Sequence, residues 1–193
     1  MKLVLASTSK FKSAIMDKVK MSHINVASNF EEVSFNTDVY DYVKELALGK
    51  ANNVKDKVTD SIILGIDTVV YVNGKIIEKP KSINEVKNNL LLASNNTVSV
   101  ISGIALINQI EEVTLSTYQE TKVSFNKIDE CDIDYYIDNE PDTMYASGFI
   151  VETIASNFIK KIDGSFYNIL GVPVEKIYEC LLSFNIHLKD LEK

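Results

Sequence analysis

Residues 61–70 are Ser-Ile-Ile-Leu-Gly-Ile-Asp-Thr-Val-Val, and this stretch decides the fold class. Its first six residues form a continuous apolar run, which is typical of a strand buried on both faces of a sheet. Residues 69–77 follow with Asn73-Gly74 at their centre, and Asn-Gly between two β-rich runs is a strong hairpin signal. Asp67 lies between the run and the hairpin. Its carboxylate therefore needs a cation, a metal ion or several donors, unless it bonds its own backbone in a turn.

Upstream of this stretch, strands alternate with helices. The chain opens with an apolar strand at residues 2–6, and Ser9 then caps a helix that carries Ile15 and Met16 at helical spacing. After a short strand at 24–27, residues 37–58 form an amphipathic pattern that Thr37 or Asp38 caps. This half of the chain therefore predicts strand, helix, strand, helix.

Downstream, the same alternation continues with inserted hairpins. We expect a helix over 83–93 with Val86, Leu90 and Leu91 inward, and two long strands over 98–107 and 113–125. Asp129 should cap a helix over 129–137, and residues 139–156 are irregular. The final elements are a hairpin over 158–167 turned by Asp163-Gly164 and a helix opened by Pro173. The prediction is an α/β fold: one two-lobed domain over 1–193, with an elongated mixed sheet flanked by helices.

Composition limits the function. The 193 residues are 46% hydrophobic and carry a net charge of 20 − 27 = −7, so the chain is a folded protein without the basic face that long DNA or RNA requires. No stretch approaches a membrane span, and the N-terminal apolar run is too short for a signal peptide. Cys131 and Cys180 form no disulfide framework, and we expect both to pack within helices. These features predict a cytoplasmic protein.

Polar clusters follow the buried strands, which is where ligands bind in open α/β sheets. Lys10 and Lys12 lie in the first turn of a helix beside the hydroxyls of residues 7–9, an arrangement that suits a phosphate. An ordinary helix cap with solvated lysines is the alternative. Lys50 and Lys79 are further cations that singly are usually solvated, and residues 146–152 form a base-facing or sugar-facing loop or a plain surface loop. Without a visible nucleophilic triad, the residues favour metal and carboxylate chemistry.

Together these motifs resemble the Maf family, septum-formation-associated nucleotide pyrophosphatases related in fold to the inosine triphosphate pyrophosphatases. The resemblance covers nearly the whole chain. It rests on Leu5-Ala6-Ser7 at the start, Glu31-Glu32, Lys50-Ala51, Gly65-Ile66-Asp67-Thr68-Val69-Val70, Lys79-Pro80, Ser102-Gly103-Ile104-Ala105-Leu106 and the closing Gly171-Val172-Pro173.

The resemblance implies hydrolysis of a nucleoside triphosphate at the α–β phosphoanhydride bond, giving the monophosphate and pyrophosphate. It implies house-cleaning of non-canonical or modified nucleotides and a divalent metal, Mg²⁺ or Mn²⁺. The catalytic residues would be Asp67, Lys79 and Lys50, and the metal ligands Glu32 and Asp67. Ser7, Ser9 and Lys12 would bind phosphate. The resemblance also suggests a homodimer. We expect no nucleic-acid polymer and no membrane as partner.

Three positions that the resemblance links to base choice point to different substrates. Thr68 resembles the branch of the family that takes dTTP and UTP, whereas Phe11 and Glu152 resemble the branch that takes 7-methyl-GTP. The chain also departs from the family's Pro-Arg-Arg segment, because Lys10-Phe11-Lys12 stands there and Lys12 lacks the bidentate fork of an arginine. The alternative function is therefore a catalytically weakened, nucleotide-binding regulator of cell division or septum formation. A plain interaction module without a ligand pocket is a third hypothesis.

Overall fold

The computed structural model describes residues 1–34, 36–145 and 147–192. The helices and strands in chain order are β1 (Lys2–Ala6), α1 (Lys10–Lys18), β2 (Ile24–Val26), α2 (Val39–Lys55), β3 (Ser61–Val72), β4 (Lys75–Ile77), α3 (Ile83–Ala93), β5 (Thr97–Asn108), β6 (Val113–Phe125), α4 (Glu130–Asn139), β7 (Ile159–Asp163), α5 (Phe166–Ile169) and α6 (Val174–Ser183). Short 3₁₀ turns lie at Ile154–Phe158 and Leu188–Asp190.

The strands form a seven-stranded sheet in the order β2-β1-β3-β5-β6-β7, with β4 paired to β3. β1 runs parallel to both β2 and β3, while β4 is antiparallel to β3 and β7 is antiparallel to β6. The predicted α/β fold with a mixed sheet and flanking helices is therefore confirmed. β7 ends the sheet and carries the exposed residues Lys160 and Lys161.

The chain divides into two compact units. The first comprises residues 1–68, 101–119 and the stretch from 166 onward, and the second comprises residues 69–100 and 120–165. Strands β3, β5 and β6 each begin in one unit and end in the other. The single domain over 1–193 stays a prediction.

In the first unit, alternate residues of β3 and β5 face two different cores. Leu64, Ile66 and Ile104 pack on one side with α1 and α6, and Ile63 and Ala105 pack on the other with α2. This alternation is the two-residue period of a strand. The continuous apolar run at 61–66 is thus buried on both faces, as predicted.

Two glycines allow α2 to lie directly on the sheet. A Cβ at Gly65 would be 2.0 Å from the carbonyl oxygen of Ala47, and a Cβ at Gly103 would be 1.9 Å from that of Val43. Both distances are far inside van der Waals contact, so no other residue fits at either position. The close approach fixes α2 against β3 and β5.

The second unit contains α3 and α4, and three sequence predictions need correction there. Leu91 is 43% exposed, because Val86 and Leu90 already form the inward stripe of α3. Asp129 is the N-cap of α4 but makes no capping bond, since its carboxylate pairs with Lys127 at 2.7 Å. Cys131 is exposed on α4, whereas Cys180 is buried as expected.

The hairpin predicted over 158–167 was also wrong. β7 pairs with β6, through Lys122 opposite Asp163 and Val123 opposite Ile162, and the chain then turns into α5. Thr121 causes the turn, because its hydroxyl donates to the carbonyl of Ser165 and accepts from the N–H of Ser165. Gly164 has φ +127° there, and a Cβ at this position would be 2.8 Å from Thr121 Oγ1. The Asp163-Gly164 turn exists, but it leads from a strand to a helix.

Other local predictions are confirmed by the structure. Asn73 and Gly74 have φ of 50° and 80°, as a type I′ hairpin turn requires, and they join β3 to β4. Ser9 and Asp38 cap α1 and α2 with their side chains. No helix in the described part of the chain is long and apolar enough to cross a bilayer.

Candidate active site

A buried ion pair lies at the centre of the candidate site. The Nζ of Lys50 on α2 is 2.5 Å from Oδ1 of Asp67 on β3 and 2.7 Å from Oε1 of Glu32. Asp67 and Lys50 have side chains only 8% and 14% exposed, whereas Glu32 is 58% exposed. The sequence predicted that the Asp67 carboxylate needs a cation, a metal ion or several donors. In the structure Lys50 is that cation.

The Lys50 ammonium is charged in this setting. Burial lowers the pKa of Lys50, but the charge of Asp67 and the hydrogen bonds to Asp67 and Glu32 outweigh it and raise that pKa above its usual range. The bond from Lys50 holds the Asp67 carboxylate in place.

The segment that carries Glu32 is tied to α2 at several points. The N–H of Asn29 donates to Oδ1 of Asn53 at 2.9 Å, and the ring of Phe30 occupies the space beside Gly49, where a Cβ would lie 2.3 Å from the ring. Further along, Ser34 and Asn36 both donate to the carboxylate of Glu45. These contacts explain why the acidic pair at 31–32 lies beside Lys50 without regular secondary structure.

Lys12 reaches the same strand from α1. Its Nζ donates to the carbonyl of Ile66 at 2.9 Å, directly before Asp67. β3 pairs with β1 over Ser61–Leu64 and with β4 over Val70–Val72, so Ile66 lies between the two ladders. Burial, helped by the charge of Lys50 and opposed by the carboxylates of Asp67 and Glu32, lowers the pKa of Lys12 to about 8. Lys12 is thus an unusually acidic ammonium within the field of the ion pair.

Thr68 lies on the opposite face of β3 from Asp67, with Lys12 and Gly171 beside it. Its hydroxyl is 2.7 Å from that of Ser102 and donates over 3.5 Å to the carbonyl of Gly171. A Cβ at Gly171, where φ is +81°, would be 3.7 Å from Thr68 Oγ1 and 3.8 Å from Lys12 Cε. These residues therefore surround one small region at the middle of β3.

The loop between β1 and α1 is ordered by its own hydroxyls. Ser7 Oγ accepts from the N–H of Ser9 at 3.1 Å, and Ser9 Oγ accepts from the N–H of Lys12 at 3.3 Å. Both hydroxyl protons stay available to donate to an anion. Phe11, in the same turn, is 52% exposed. The first cluster predicted from sequence is thus a capped helix start in which Lys12 reaches β3.

Two predicted residues, Lys79 and Glu152, belong to the second unit. Lys79 is exposed, with its Nζ 5.1 Å from the centre of the Tyr145 ring, a cation–π geometry. Glu152 is also exposed, while Ser147 and Phe149 are buried. Ala146, at the start of the predicted 146–152 loop, lies outside the described residues. The structure brings together Lys12, Lys50, Asp67, Glu32 and Thr68 within the first unit.

The donor set fits a divalent metal bound together with a triphosphate. In the described residues no three His, Cys, Asp or Glu side chains form a metal-binding group, but Mg²⁺ typically takes one or two carboxylates and completes its shell with water and substrate phosphates. Glu32 and Asp67 each bring a carboxylate to the Lys50 ammonium, and carboxylate oxygen is the donor type that such an ion takes. The residues therefore suit an ion that arrives with the nucleotide.

Sequence reasoning missed two residues of this region, Ser102 and Glu45, and Tyr145 of the second unit. Ser102 was treated as part of a strand motif, although a hydroxyl inside the mostly apolar β5 signals a buried polar contact. Glu45 looked like an ordinary exposed residue of α2. Tyr145 had no sequence signal, because its contact with Lys79 joins residues 66 positions apart.

The fold and the charged cluster define an α/β protein with a carboxylate–ammonium centre on a central strand. A family model described as Maf-like protein matches residues 2–184. The chain belongs to the Maf family.

Two named relatives are similar to this chain over nearly their full length. A "dTTP/UTP pyrophosphatase" of Clostridium perfringens (strain SM101 / Type A) is 35% identical, over 96% of this chain and 98% of the relative. A "Nucleoside triphosphate pyrophosphatase" of Chlamydia muridarum is 34% identical, over 97% and 96%. A solved dITP/XTP pyrophosphatase from Mycobacterium abscessus has a TM-score of 0.42 at 20% identity, covering 66% of this chain and 76% of that one.

Proposed function

We propose that this protein hydrolyses a nucleoside triphosphate to the monophosphate and pyrophosphate, with dTTP and UTP as its preferred substrates. The observation that carries the proposal is the buried Lys50–Asp67 pair, with Lys12 bonded to the residue before Asp67. A fixed carboxylate next to two cations suits attack of water on a phosphate group. The names of the relatives at 34–35% identity support the same chemistry.

Asp67 is the proton acceptor for the attacking water in this proposal. Its bond to Lys50 holds the carboxylate in one orientation. Because Asp67 is almost fully buried, water reaches it from the few directions that the protein leaves open. Geometry as well as charge supports the general-base role.

The lysines offset the negative charge of the phosphates. Lys50 and Lys12 act from the first unit, and Lys79 is the third cation that the family resemblance implies. Ser7 and Ser9 donate their hydroxyl protons to phosphate oxygens, since both oxygens already accept from backbone N–H groups. Such donors stabilise the charge that develops on the leaving pyrophosphate.

Glu32 and Asp67 would hold a Mg²⁺ or Mn²⁺ ion. When bound, the ion would offset phosphate charge and lower the pKa of a bound water. The exposed position of Glu32 on an irregular segment lets this carboxylate adjust to the nucleotide complex. Asp67 keeps its place because β3 and Lys50 fix it.

Base choice is assigned to Thr68, Phe11 and Glu152. Thr68 favours dTTP and UTP, as the names of the Clostridium relatives do. Phe11 is exposed enough to stack on a base, and with Glu152 it favours a cationic methylated guanine. 7-Methyl-GTP is therefore the second substrate to test.

The decisive experiment is pyrophosphate release by the purified protein, with Mg²⁺ or Mn²⁺, across dTTP, UTP, CTP, GTP and 7-methyl-GTP. We expect turnover of dTTP and UTP to exceed that of the others. Preference for 7-methyl-GTP would overturn the base assignment, and no release from any triphosphate would overturn the hydrolase proposal.

A second candidate is a weakly active nucleotide-binding regulator of cell division. One observation favours it: Lys12 stands where the family has an arginine, and its pKa of about 8 leaves it partly neutral in mildly alkaline conditions. A rate that appears only in a Phe11→Arg/Lys12→Arg variant would support this candidate. The proposal also includes house-cleaning of modified nucleotides in the cytoplasm and a homodimer, which sedimentation of the purified chain would test.

A further inference from the structure

Ser102 is a buried residue whose hydroxyl contacts that of Thr68. It lies on β5 with no exposed surface, between Ile101 and Gly103, and its Oγ is 2.7 Å from Oγ1 of Thr68. Among the residues that the structure describes, Thr68 is its hydrogen-bond partner. The side chain faces Thr68 because Gly103, the next residue, must face α2.

The direction of this hydrogen bond follows from the cost of burying an unpaired donor. If Thr68 donated to Ser102, the Ser102 proton would be buried without an acceptor, which is the costly arrangement. Ser102 therefore donates to Thr68. The proton of Thr68 then points to the carbonyl of Gly171, 3.5 Å away. The chain of donors runs from Ser102 through Thr68 to Gly171.

This chain leaves Thr68 with one free lone pair. A ligand in the region bounded by Thr68, Gly171 and Lys12 thus meets an acceptor and not a donor at Thr68. Ionised phosphate oxygens carry no proton and gain nothing from an acceptor. The group that pairs with Thr68 must be a donor of the nucleoside: a ring N–H of the base or a hydroxyl of the sugar.

We propose that Ser102 is a positioning residue that makes Thr68 a hydrogen-bond acceptor for a donor of the bound nucleoside, the ring N–H of a uracil or thymine base. The inference rests on the proposed function for the identity of the ligand. It adds that discrimination depends on Ser102, which touches no substrate. A base with an unprotonated ring nitrogen at that position, such as cytosine, would place two acceptors together and be rejected.

The test measures kcat/KM for UTP, for CTP and for 3-methyl-UTP, which lacks the ring N–H, in the wild type, Ser102→Ala and Ser102→Thr. We expect the wild type to prefer UTP over both analogues by about tenfold or more, the scale of one hydrogen bond. Ser102→Ala should reduce the preference for UTP over CTP to about twofold, because Thr68 can then turn its proton to the unprotonated ring nitrogen of cytosine. Ser102→Thr retains the hydroxyl and should restore that preference.

The ratio of two substrates on one variant separates positioning from damage to the fold, since lost active protein lowers both rates equally. An unchanged preference for UTP over CTP in Ser102→Ala would overturn the proposal. If the wild type discriminates against 3′-deoxy-UTP but turns over 3-methyl-UTP as well as UTP, the donor is a hydroxyl of the sugar. That result would overturn the proposal of the base N–H. CTP and UTP turned over equally by the wild type would contradict the acceptor role.

Dissociation constants provide the same comparison without turnover. If the wild type binds UTP but releases no pyrophosphate, the hydrolase proposal fails, while the UTP to CTP affinity ratio in the wild type and in Ser102→Ala still decides the role of Ser102. If neither nucleotide binds, the Ser102 proposal fails as well.

Discussion

Lys50 and Asp67 form a largely buried ion pair in which α2 supplies the ammonium and β3 the carboxylate, 2.5 Å apart. The pair exists because Gly65 and Gly103 let the helix backbone approach the sheet. Two positions that carry no side chain therefore determine the geometry of the two charged ones.

Removing Lys50 should be costly for stability. Lys50→Met leaves the buried Asp67 carboxylate without its bonded cation, so we expect the free energy of unfolding to fall by about 3 kcal/mol in urea titrations. Lys44→Met is the matched control on the same helix, because Lys44 pairs with Asp41 at 2.7 Å in an exposed i,i+3 pair. Its loss should cost less than about 0.5 kcal/mol. Equal costs for the two variants would contradict the buried ion pair.

Asp67→Asn should separate catalysis from binding. The amide cannot accept the proton of the attacking water, so we expect kcat to fall by about 10²- to 10⁴-fold. Lys50 keeps its bond to Glu32, and nucleotide affinity measured by calorimetry should change little. Asp41→Asn, an exposed carboxylate on α2, is the control. Full activity in Asp67→Asn would remove Asp67 from the mechanism.

The site could be predicted only in part from sequence. The order of Lys12, Lys50 and Asp67 along the chain pointed to the charged cluster, because each residue follows or precedes a strong local pattern. The bond from Lys12 to Ile66 and the contact of Thr68 with Ser102 join residues 54 and 34 positions apart. Such contacts depend on strand order, which local patterns do not specify.

The protonation of the Lys12 ammonium should appear in the pH dependence of nucleotide binding. Its pKa of about 8 lies below the usual 10.5, so the free protein loses this charge as the pH rises through 8. A bound triphosphate favours the charged form. Binding must then take up a proton, and affinity should decrease between pH 7.5 and 9.

Lys12→Arg keeps its charge throughout this range, so its affinity should not show that decrease. The affinity ratio of the two proteins for one nucleotide cancels the titration of the ligand. A ratio that stays constant with pH would show that Lys12 does not titrate on binding.

The Gly65 contact makes a prediction about packing. Gly65→Ala forces a methyl group against the backbone of α2, and we expect the free energy of unfolding to fall by about 3 kcal/mol. Gly74→Ala, in the β3–β4 turn, meets nothing within 4 Å and suffers only from its φ of +80°. That control should lose about 1 kcal/mol. A smaller loss at Gly65 than at Gly74 would show that α2 can move away from the sheet.

Glu32→Gln tests the proposed metal ligand. We expect the Mg²⁺ concentration for half-maximal activity to rise about tenfold, with little change in the melting temperature, because Glu32 is mostly exposed. Glu31→Gln is the neighbouring control and should behave like the wild type. The same Mg²⁺ requirement in both variants would exclude Glu32 as a ligand.

Most elements of the fold were predictable because their signals are local. The turn at Asn73-Gly74, the cap at Ser9 and the helix over 83–93 each depend on a few neighbouring residues. The last strand was assigned a wrong partner, since residues 159–163 pair with 122–125, about 40 positions earlier. The hydroxyl of Thr121 that ends this strand is equally distant along the chain.

The terminal strand β7 also restricts how copies of this chain can associate. An open strand edge is a template on which another chain can add a strand, and such growth leads to aggregates. Lys160 and Lys161 stand exposed on that edge, with the ammonium of Lys161 3.3 Å from the carboxylate of Asp163. Charged side chains of this kind disfavour the addition of a further strand to β7.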